Sequence, residues 1–262
     1  AHSAPNQANI PSAFHGTPTT AVEKVKHTYD GAFRELWCVG EGNFLVGTDA
    51  DGIQLRILAD LMGSQEYIDA ILSGKKEDET DIHNVNRKAL GLSHITRDMA
   101  KTFIYAFLLG AGTAKVSQIL KTNHKQAKQA VNNFMESISG LSRLKKKVVP
   151  QIASNGYFRG YDDRKVKVPS EHKTLAGMLQ NGESTIMKHA TRKWINWGNK
   201  EGIAFKLVTW PHDEWQTEVI GSRDSAERLG AIQRKSIESV GVELGLSCPL
   251  AGSTSIGKSW LD

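Results

Sequence analysis

The chain has 262 residues, 39% of them hydrophobic and 23% charged, with a formal net charge of +5. That composition supports a sizeable core and excludes a disordered chain, and no apolar run approaches the roughly 20 residues of a membrane span. With Cys38 and Cys248 as its two cysteines, the sequence also excludes a disulfide scaffold and a cysteine-rich zinc site. No secretion signal is recognisable, so we expect a cytoplasmic, intracellular protein without a membrane partner.

The first half of the chain is predicted to hold one strand followed by helices. Residues 1–31, rich in Pro, Asn, Ser and Thr, predict irregular structure. Residues 43–49 are typical of a short buried strand, and apolar residues at helical spacing follow it. Asp81 and Thr96 are predicted N-caps of two helices. A further helical stretch is predicted for residues 115–135.

The second half is predicted to combine two hairpins with two helices. Residues 156–168 and 204–220 show the alternation of β-hairpins, the second around an acidic turn. Residues 175–197 and 225–244 show helical periodicity. The elements therefore predict an α+β fold, with a small antiparallel sheet backed by helices and a helical insertion in the middle.

Basic residues concentrate in residues 115–147. This stretch holds eight lysines and arginines against one acid, Glu136. Its net positive charge is therefore larger than the +5 of the whole chain. Two interpretations are equally open: a solvated helix face or a surface that binds phosphates.

Asp49 ends the predicted strand and Asp213 lies at the tip of the second hairpin. A carboxylate at the end of an apolar strand is costly unless it is paired or binds a cation. Two such carboxylates on one sheet would hold hard divalent ions, although each residue taken alone is more often a turn residue or a cap.

One face of the predicted helix after Thr96 carries Arg97, Lys101 and Tyr105, at positions i, i+4 and i+8. Two cations and a phenol on one face favour a triphosphate ligand. A solvated basic stripe with a boundary tyrosine explains the spacing equally well.

Collinear segments give the sequence a resemblance to family A DNA polymerases. Asp-Ala-Asp-Gly-Ile-Gln-Leu-Arg at 49–56 resembles the family's motif A, and His-Asp-Glu at 212–214 resembles its motif C. The other similar segments are motif B at 96–105, Asp-Ile-His at 81–83, Pro-Asn-Gln-Ala-Asn-Ile-Pro at 5–11, Gln180 before motif C, and Lys-Ser-Trp at 258–260. Their order and spacing agree over nearly the whole chain, most closely with replicative polymerases of T-odd-type phages.

The resemblance implies a polymerase palm with a helical fingers insertion. Residues 1–80 and 148–262 would form the palm, and residues 81–147 the fingers. Family members carry a Thr-Gly-Arg segment, a thumb and usually an exonuclease upstream of the point where this sequence begins, so both domains would be absent. We therefore expect the C-terminal part of a split or truncated enzyme, with a second chain or a missing N-terminal part supplying thumb and exonuclease.

The resemblance also implies which residues would act. Two Mg²⁺ ions, replaceable by Mn²⁺, would be held by Asp49, Asp213 and the carbonyl of Ala50. Lys101 would protonate the leaving pyrophosphate. The residues expected to contact the incoming dNTP are Arg97, Lys101, Tyr105, His83 and Gln54. The residues expected to contact primer–template DNA are His212, Gln180, His172, Asn6 and Asn9.

Four positions depart from the family's pattern. Gln54 replaces the glutamate that ends motif A and blocks the ribose 2′-hydroxyl, so the steric block is kept and its charge is lost. Asp51 replaces a serine, and either adds negative charge near the metals or caps the following helix. Leu109 and Ala176 replace a common tyrosine and asparagine. These changes bear on sugar discrimination and fidelity.

The main hypothesis is a template-directed DNA polymerase that transfers nucleotides to a primer 3′-hydroxyl by two-metal catalysis. A single-subunit RNA polymerase-like palm is an alternative, which Glu214 and the 81–83 segment disfavour. An inactive nucleic-acid-binding subunit that uses residues 115–147 is another. A metal-dependent phosphohydrolase built on His212, Asp213 and His83 is the least favoured.

Overall fold

The structure is a computed structural model that describes residues 32–260, which form two compact units. The sheet unit comprises the described residues up to Ile53, Ile186–Glu243 and those from Leu250 onward. The helical unit comprises Gln54–Thr185 and Leu244–Pro249. The palm and fingers boundaries expected from the sequence stay a prediction.

The described elements combine helices with a few short strands, as the sequence predicted for an α+β fold. In chain order they are α1 (Ala32–Glu35), β1 (Phe44–Ala50), α2 (Ile53–Met62), α3 (Gln65–Ser73), α4 (Ile82–Leu90), α5 (Arg97–Leu108), α6 (Thr113–Ile119), α7 (His124–Ser137), α8 (Leu141–Arg143), a π-helical turn (Leu144–Val148), α9 (Val149–Asn155), β2 (Tyr157–Arg159), β3 (Lys165–Lys167), α10 (Glu171–Lys200), β4 (Phe205–Thr209), β5 (Glu214–Val219), α11 (Arg223–Glu243) and β6 (Gly252–Gly257). No helix within residues 32–260 is long and apolar enough to cross a membrane.

The sheet unit is built on a four-stranded antiparallel sheet in the order β4-β5-β1-β6. Because β1 lies between two neighbours, it is buried from Leu45 to Thr48. A Cβ atom at Gly47, at the centre of this strand, would lie 2.6 Å from the Gln216 Nε2 atom on β5, so a larger residue there would displace the Gln216 side chain. The predicted strand and the predicted hairpin around motif C are both confirmed, each to within one residue.

A buried polar network fixes α11 against this sheet. The Thr48 hydroxyl donates to Gln233 Oε1 at 2.7 Å, and Gln233 Nε2 donates to the Thr217 hydroxyl at 3.0 Å. All three side chains are fully buried. Since an unpaired buried polar group costs about 1–3 kcal/mol, this network favours one placement of the helix over β1 and β5.

Aromatic rings from α10 and the sheet complete the core of the sheet unit. Trp194 on α10 packs with its ring centroid 5.7 Å from that of Trp215 on β5 and 5.2 Å from that of Phe205 on β4. Trp194 and Trp215 are both fully buried, so they bury some of the largest apolar surfaces of the unit.

The helical unit packs around phenylalanines of α5 and α7. The ring of Phe134 lies edge-on to Phe103 and Phe107, with centroids 5.1 and 5.4 Å away. The helical stretch expected over residues 115–135 is divided into α6 and α7. The chain turns at Lys121, where φ is +48°, and Asn123 caps α7 by accepting a hydrogen bond from the Gln126 amide at 2.9 Å.

Candidate active site

Asp49 lies at the end of β1, where the central strand meets its two neighbours. In the sheet register it is opposite Glu214 of β5 and Ser253 of β6. Successive strand residues point to opposite faces. Thr48 points to α11, so Asp49 points to the other face, where it is exposed.

Asp213 lies in the turn that joins β4 and β5. His212 has a left-handed backbone, with φ of +56°, and its carbonyl accepts a hydrogen bond from the Trp210 indole at 2.9 Å. The Ala50 amide donates to the Asp213 carbonyl at 3.0 Å. This backbone bond brings the strand end that carries Asp49 beside the turn that carries Asp213.

Burial and the repulsion between neighbouring carboxylates raise the pKa values of Asp49 and Asp213. Burial raises the pKa of Asp49 to about 7, together with the negative charges of Asp213, Glu214 and Asp51. Burial also raises the pKa of Asp213, with a further contribution from Glu214. Asp49 is exposed to solvent on one side. Protein atoms therefore surround its carboxylate without closing it off from water. Asp51 therefore adds negative charge at this site.

The donor atoms at this strand end suit a hard divalent cation. The carboxylates of Asp49 and Asp213 and the carbonyl of Ala50 are oxygen donors, which Mg²⁺ and Mn²⁺ prefer. A cation would also offset the repulsion that raises the pKa of Asp49. Within residues 32–260 no group of three or more His, Cys, Asp or Glu side chains could hold a metal. A metal here would depend on two carboxylates, the carbonyl, and oxygens of substrate or water.

Glu214, the third acid of the site, is held by the C-terminal segment. The indole of Trp260 donates to Glu214 Oε1 at 2.6 Å, and the Gln216 amide is hydrogen-bonded to the same oxygen. The Trp260 ring also packs edge-on against Trp37, with centroids 6.3 Å apart. The segment at 258–260 that resembles the family's tail thus supports the motif C hairpin.

The motif B helix, α5, begins where the sequence predicted. The hydroxyl of Thr96 caps it by accepting from the Met99 amide at 3.2 Å. Ala100, Phe103 and Ile104 are fully buried on one face. The predicted basic face is the less buried one, with Lys101 exposed and both Arg97 and Tyr105 half-buried.

Arg97 is engaged by Asp81, the N-cap of α4. Its guanidinium donates two hydrogen bonds to Asp81 Oδ2, from Nε at 3.0 Å and Nη2 at 2.7 Å. Asn84 also donates to Asp81, at 2.5 Å. Burial alone would raise the pKa of Asp81, but the hydrogen bonds from Arg97 and Asn84 hold it below its usual value. The sequence predicted Asp81 as a cap and missed its pairing with Arg97.

His83 follows in the first turn of α4. Burial lowers its pKa, and the positive charges of Arg97 and Lys101 lower it further, so the neutral imidazole is favoured. Its Nδ1 atom is buried without a hydrogen-bond partner in the described structure. The His83 ring lies 6.5 Å from the ring of Tyr105, measured between centroids.

Gln54, in the first turn of α2, is hydrogen-bonded to Glu183, a residue outside every motif of the sequence. Its Nε2 atom donates to Glu183 Oε2 on α10 at 2.7 Å. Glu183 is 8% exposed and Gln54 is half-buried.

Of the residues expected to contact DNA, those that the structure describes are exposed at the surface. His212 is exposed in the motif C turn, and Gln180 and His172 are exposed on α10. The His172 ring lies against the end of α5, 3.1 Å from where a Cβ of Gly110 would stand. Asn6 and Asn9 lie outside the described residues.

The predicted site residues therefore fall in both units. The sheet unit brings together Asp49, Ala50, Asp213 and His212. The helical unit contains Arg97, Lys101, Tyr105, His83, Gln54, Gln180 and His172.

Most of the basic side chains in residues 115–147 are exposed to solvent. Lys145 is the exception among them. Lys145 lies in the π-helical turn with its ammonium 5.4 Å from the Phe107 ring centroid, and burial lowers its pKa. The Arg143 guanidinium donates to the Met62 carbonyl at 3.2 Å, so it helps to hold α2.

The described structure has the α+β fold that the resemblance implies, with a small antiparallel sheet packed against helices. The model of DNA polymerase family A matches residues 1–262, and the chain belongs to this family. It is 29% identical to the DNA-directed DNA polymerases of Enterobacteria phage T3 and Escherichia phage T7, over 99% of this chain and 38% of each relative. It is 26% identical to DNA polymerase I of Mycobacterium tuberculosis, over 87% of this chain.

A solved structure supports the fold. The polymerase domain of Pol1 from M. smegmatis, in complex with DNA primer-template and dNTP, matches 98% of this chain with a TM-score of 0.78 and 23% sequence identity. The chain covers 44% of that domain, and it spans 38% of the length of the T3 and T7 polymerases.

Proposed function

We propose that this chain carries the nucleotidyl-transfer site of a template-directed DNA polymerase, which adds dNTPs to the 3′-hydroxyl of a primer. The observation that carries the proposal is the pair formed by Asp49 and Asp213, joined through the Ala50–Asp213 backbone hydrogen bond. Membership of the family supports it. Primer–template DNA and dNTPs are the proposed partners.

The sheet unit would hold the metal ions. Asp49, Asp213 and the carbonyl of Ala50 would bind Mg²⁺ or Mn²⁺. When bound, two such ions supply the positive charge that favours ionisation of the primer hydroxyl and offsets the charge of the leaving pyrophosphate. Glu214, held by Trp260, would keep the motif C hairpin in place.

The helical unit would bind the triphosphate. Lys101 is exposed on α5, so its ammonium can reach phosphate oxygens and donate a proton to the leaving pyrophosphate. Arg97 would exchange the carboxylate of Asp81 for phosphate, because both ligands accept from the same guanidinium fork. His83, as a neutral imidazole, would hydrogen-bond a phosphate, and Tyr105 would lie near the sugar and base.

The remaining site residues would contact the nucleic acid. His212, Gln180 and His172 are exposed, and together with Asn6 and Asn9 they are proposed to contact the primer or the duplex. A second chain or further N-terminal part that supplies thumb and exonuclease stays a prediction, as does the cytoplasmic location.

Primer extension tests the proposed function. The purified chain is mixed with a primed template, the four dNTPs and Mg²⁺, alone and with an added chain that carries a family thumb. We expect template-directed addition that depends on Mg²⁺ or Mn²⁺. Addition of ribonucleotides without a primer would favour the RNA polymerase-like alternative. Binding of the primed template without any addition would favour an inactive nucleic-acid-binding subunit.

A further inference from the structure

Gln54 is fixed by a carboxylate on another helix. Glu183 lies on α10, far from Gln54 in sequence, and its Oε2 atom accepts a hydrogen bond from Gln54 Nε2 at 2.7 Å. An ionised carboxylate can only accept, so the amide must turn its nitrogen toward Glu183 and its oxygen away. A flipped amide would place two oxygens at the same short distance. Glu183 therefore sets both the position and the orientation of the Gln54 side chain.

The helices that carry the pair are in close contact. A Cβ atom at Gly182 would lie 3.1 Å from Ile57 Cδ1, so the glycine lets α10 approach α2. Ile57 lies three residues after Gln54 and Gly182 directly precedes Glu183, so the close approach lies beside the hydrogen bond. Asp60, one turn further along α2, accepts from the Tyr161 hydroxyl at 2.7 Å. These two contacts hold α2 in place next to the hydrogen bond between Gln54 and Glu183.

Glu183 is 8% exposed. A carboxylate with so little access to water is costly unless donors satisfy it. The Gln54 amide is one such donor, so removal of Gln54 takes one hydrogen bond from a carboxylate that has little access to water. The negative charge that motif A usually carries at position 54 is found here on the neighbouring helix.

We propose that Glu183 is a positioning residue that holds Gln54 against the sugar of the incoming nucleotide and so selects deoxyribonucleotides over ribonucleotides. This inference rests on the proposed function. Gln54 follows Asp49 by five residues, in the first turn after the strand that carries the metal ligand. A side chain locked there excludes a 2′-hydroxyl, whereas a side chain that rotates freely admits it.

Exchange of the two side chains tests the pairing. In Q54E, two carboxylates face each other and repel, so the chain unfolds at a lower temperature than the wild type. In the double variant Q54E/E183Q, the same hydrogen bond forms with donor and acceptor reversed, so we expect most of the lost thermal stability to return. This cycle needs neither substrate nor metal. Gln118→Glu and Glu136→Gln, both exposed in the helical unit, are the matched controls.

Sugar selection is the functional readout. We expect E183A to raise the ratio of ribonucleotide to deoxyribonucleotide incorporation about tenfold, the effect of losing one charged hydrogen bond. Most of the change should appear in the KM for the ribonucleotide. Q54E should also raise this ratio, because Glu183 repels the carboxylate at position 54. Q54E/E183Q should bring the ratio back near that of the wild type, because the side chain at position 54 is again held by its partner. A merely structural role of Glu183 would lower the incorporation of both sugars equally.

The outcomes separate the two proposals. Deoxynucleotide addition by the wild type with an unchanged ratio in E183A would overturn the role of Glu183 and leave the proposed function standing. A double variant no better than Q54E in stability and ratio would do the same. Absence of any nucleotide addition by the wild type, with the thumb-bearing chain present, would overturn both proposals.

Discussion

The acidic residues of the sheet unit and the basic residues of the helical unit are held in place by different kinds of bond. Asp49 and Asp213 are placed by strand pairing and by the Ala50 amide, so their side chains are left to bind a ligand. Arg97 is instead held by a side-chain contact, because its guanidinium is paired with the carboxylate of Asp81. The backbone therefore positions the acidic pair, whereas Arg97 would have to exchange its contact with Asp81 before it could bind the proposed triphosphate.

Removal of the negative charge of one aspartate should have the largest effect on the rate of nucleotide addition. Because the backbone positions Asp49 and Asp213, Asp213→Asn should fold normally and yet lose at least ~10³-fold in the rate of nucleotide addition. Single-turnover primer extension measures the rate, and the thermal unfolding midpoint reports the fold. Asp78→Asn, in an exposed loop, is the control. Extension by Asp213→Asn at the wild-type rate would disprove the metal-ligand role.

Removal of the exposed cation on the basic helix should come next. We expect Lys101→Ala to lower the rate of addition about 10²-fold, the lower end of what a positioned general acid contributes. Lys101→Arg keeps the charge but not an acid of suitable pKa, so it should restore dNTP binding more than the rate. Rates at saturating dNTP and the KM are measured separately, with Lys125→Ala as the control. Equal rates for Lys101→Ala and wild type would rule out a role in proton transfer.

The salt bridge between Arg97 and Asp81 can be tested through the stability of the fold. Asp81→Asn should lower the free energy of unfolding by about 1–3 kcal/mol, between the values for exposed and buried pairs. The pKa of Asp81 is below its usual value, so its contribution is present at neutral pH and is lost as pH falls below about 4 through the lowered pKa. Wild-type stability should therefore fall more steeply in acid than that of Asp81→Asn. Denaturant unfolding over a pH series measures this, and parallel curves would contradict it.

The smallest of these effects is expected at Tyr105. If the phenol replaces a hydrogen bond of the missing sugar 3′-hydroxyl, Tyr105→Phe should reduce incorporation of dideoxynucleotides relative to dNTPs about tenfold. Competition between the two substrates during primer extension gives the ratio. Tyr157→Phe, in a hairpin outside the site, is the control. Equal ratios in wild type and Tyr105→Phe would refute the assignment.

Local patterns predicted the parts of the fold that local chemistry determines. The strand at 43–49 and the hairpin around motif C follow from apolar alternation and turn residues, and they place Asp49 and Asp213 side by side as expected. The Thr96 cap is likewise readable from sequence. The break before α7 was missed because it uses Lys121 with a positive φ and no Gly or Pro. Strand β6 was missed because Gly252–Gly257 is rich in Ser and Gly rather than alternating.

Pairings between distant side chains could not be predicted in the same way. Gln54 and Glu183 are separated by 129 residues, and Asp60 binds the Ser247 amide 187 residues away at 2.8 Å. No periodicity or motif encodes such a contact, because it depends on how helices pack. The substitution of Gln54 for a family glutamate marked the first position as unusual, but no local pattern pointed to its partner.

The packing of Trp194 on Trp215 gives the protein a built-in optical probe. All six tryptophans of the sequence, at positions 37, 194, 197, 210, 215 and 260, belong to the sheet unit. Indole emission therefore reports on that unit, while far-ultraviolet circular dichroism is dominated by the helices. Denaturation curves that coincide by the two methods would mean a single cooperative transition, and curves that separate would reveal one unit unfolding before the other.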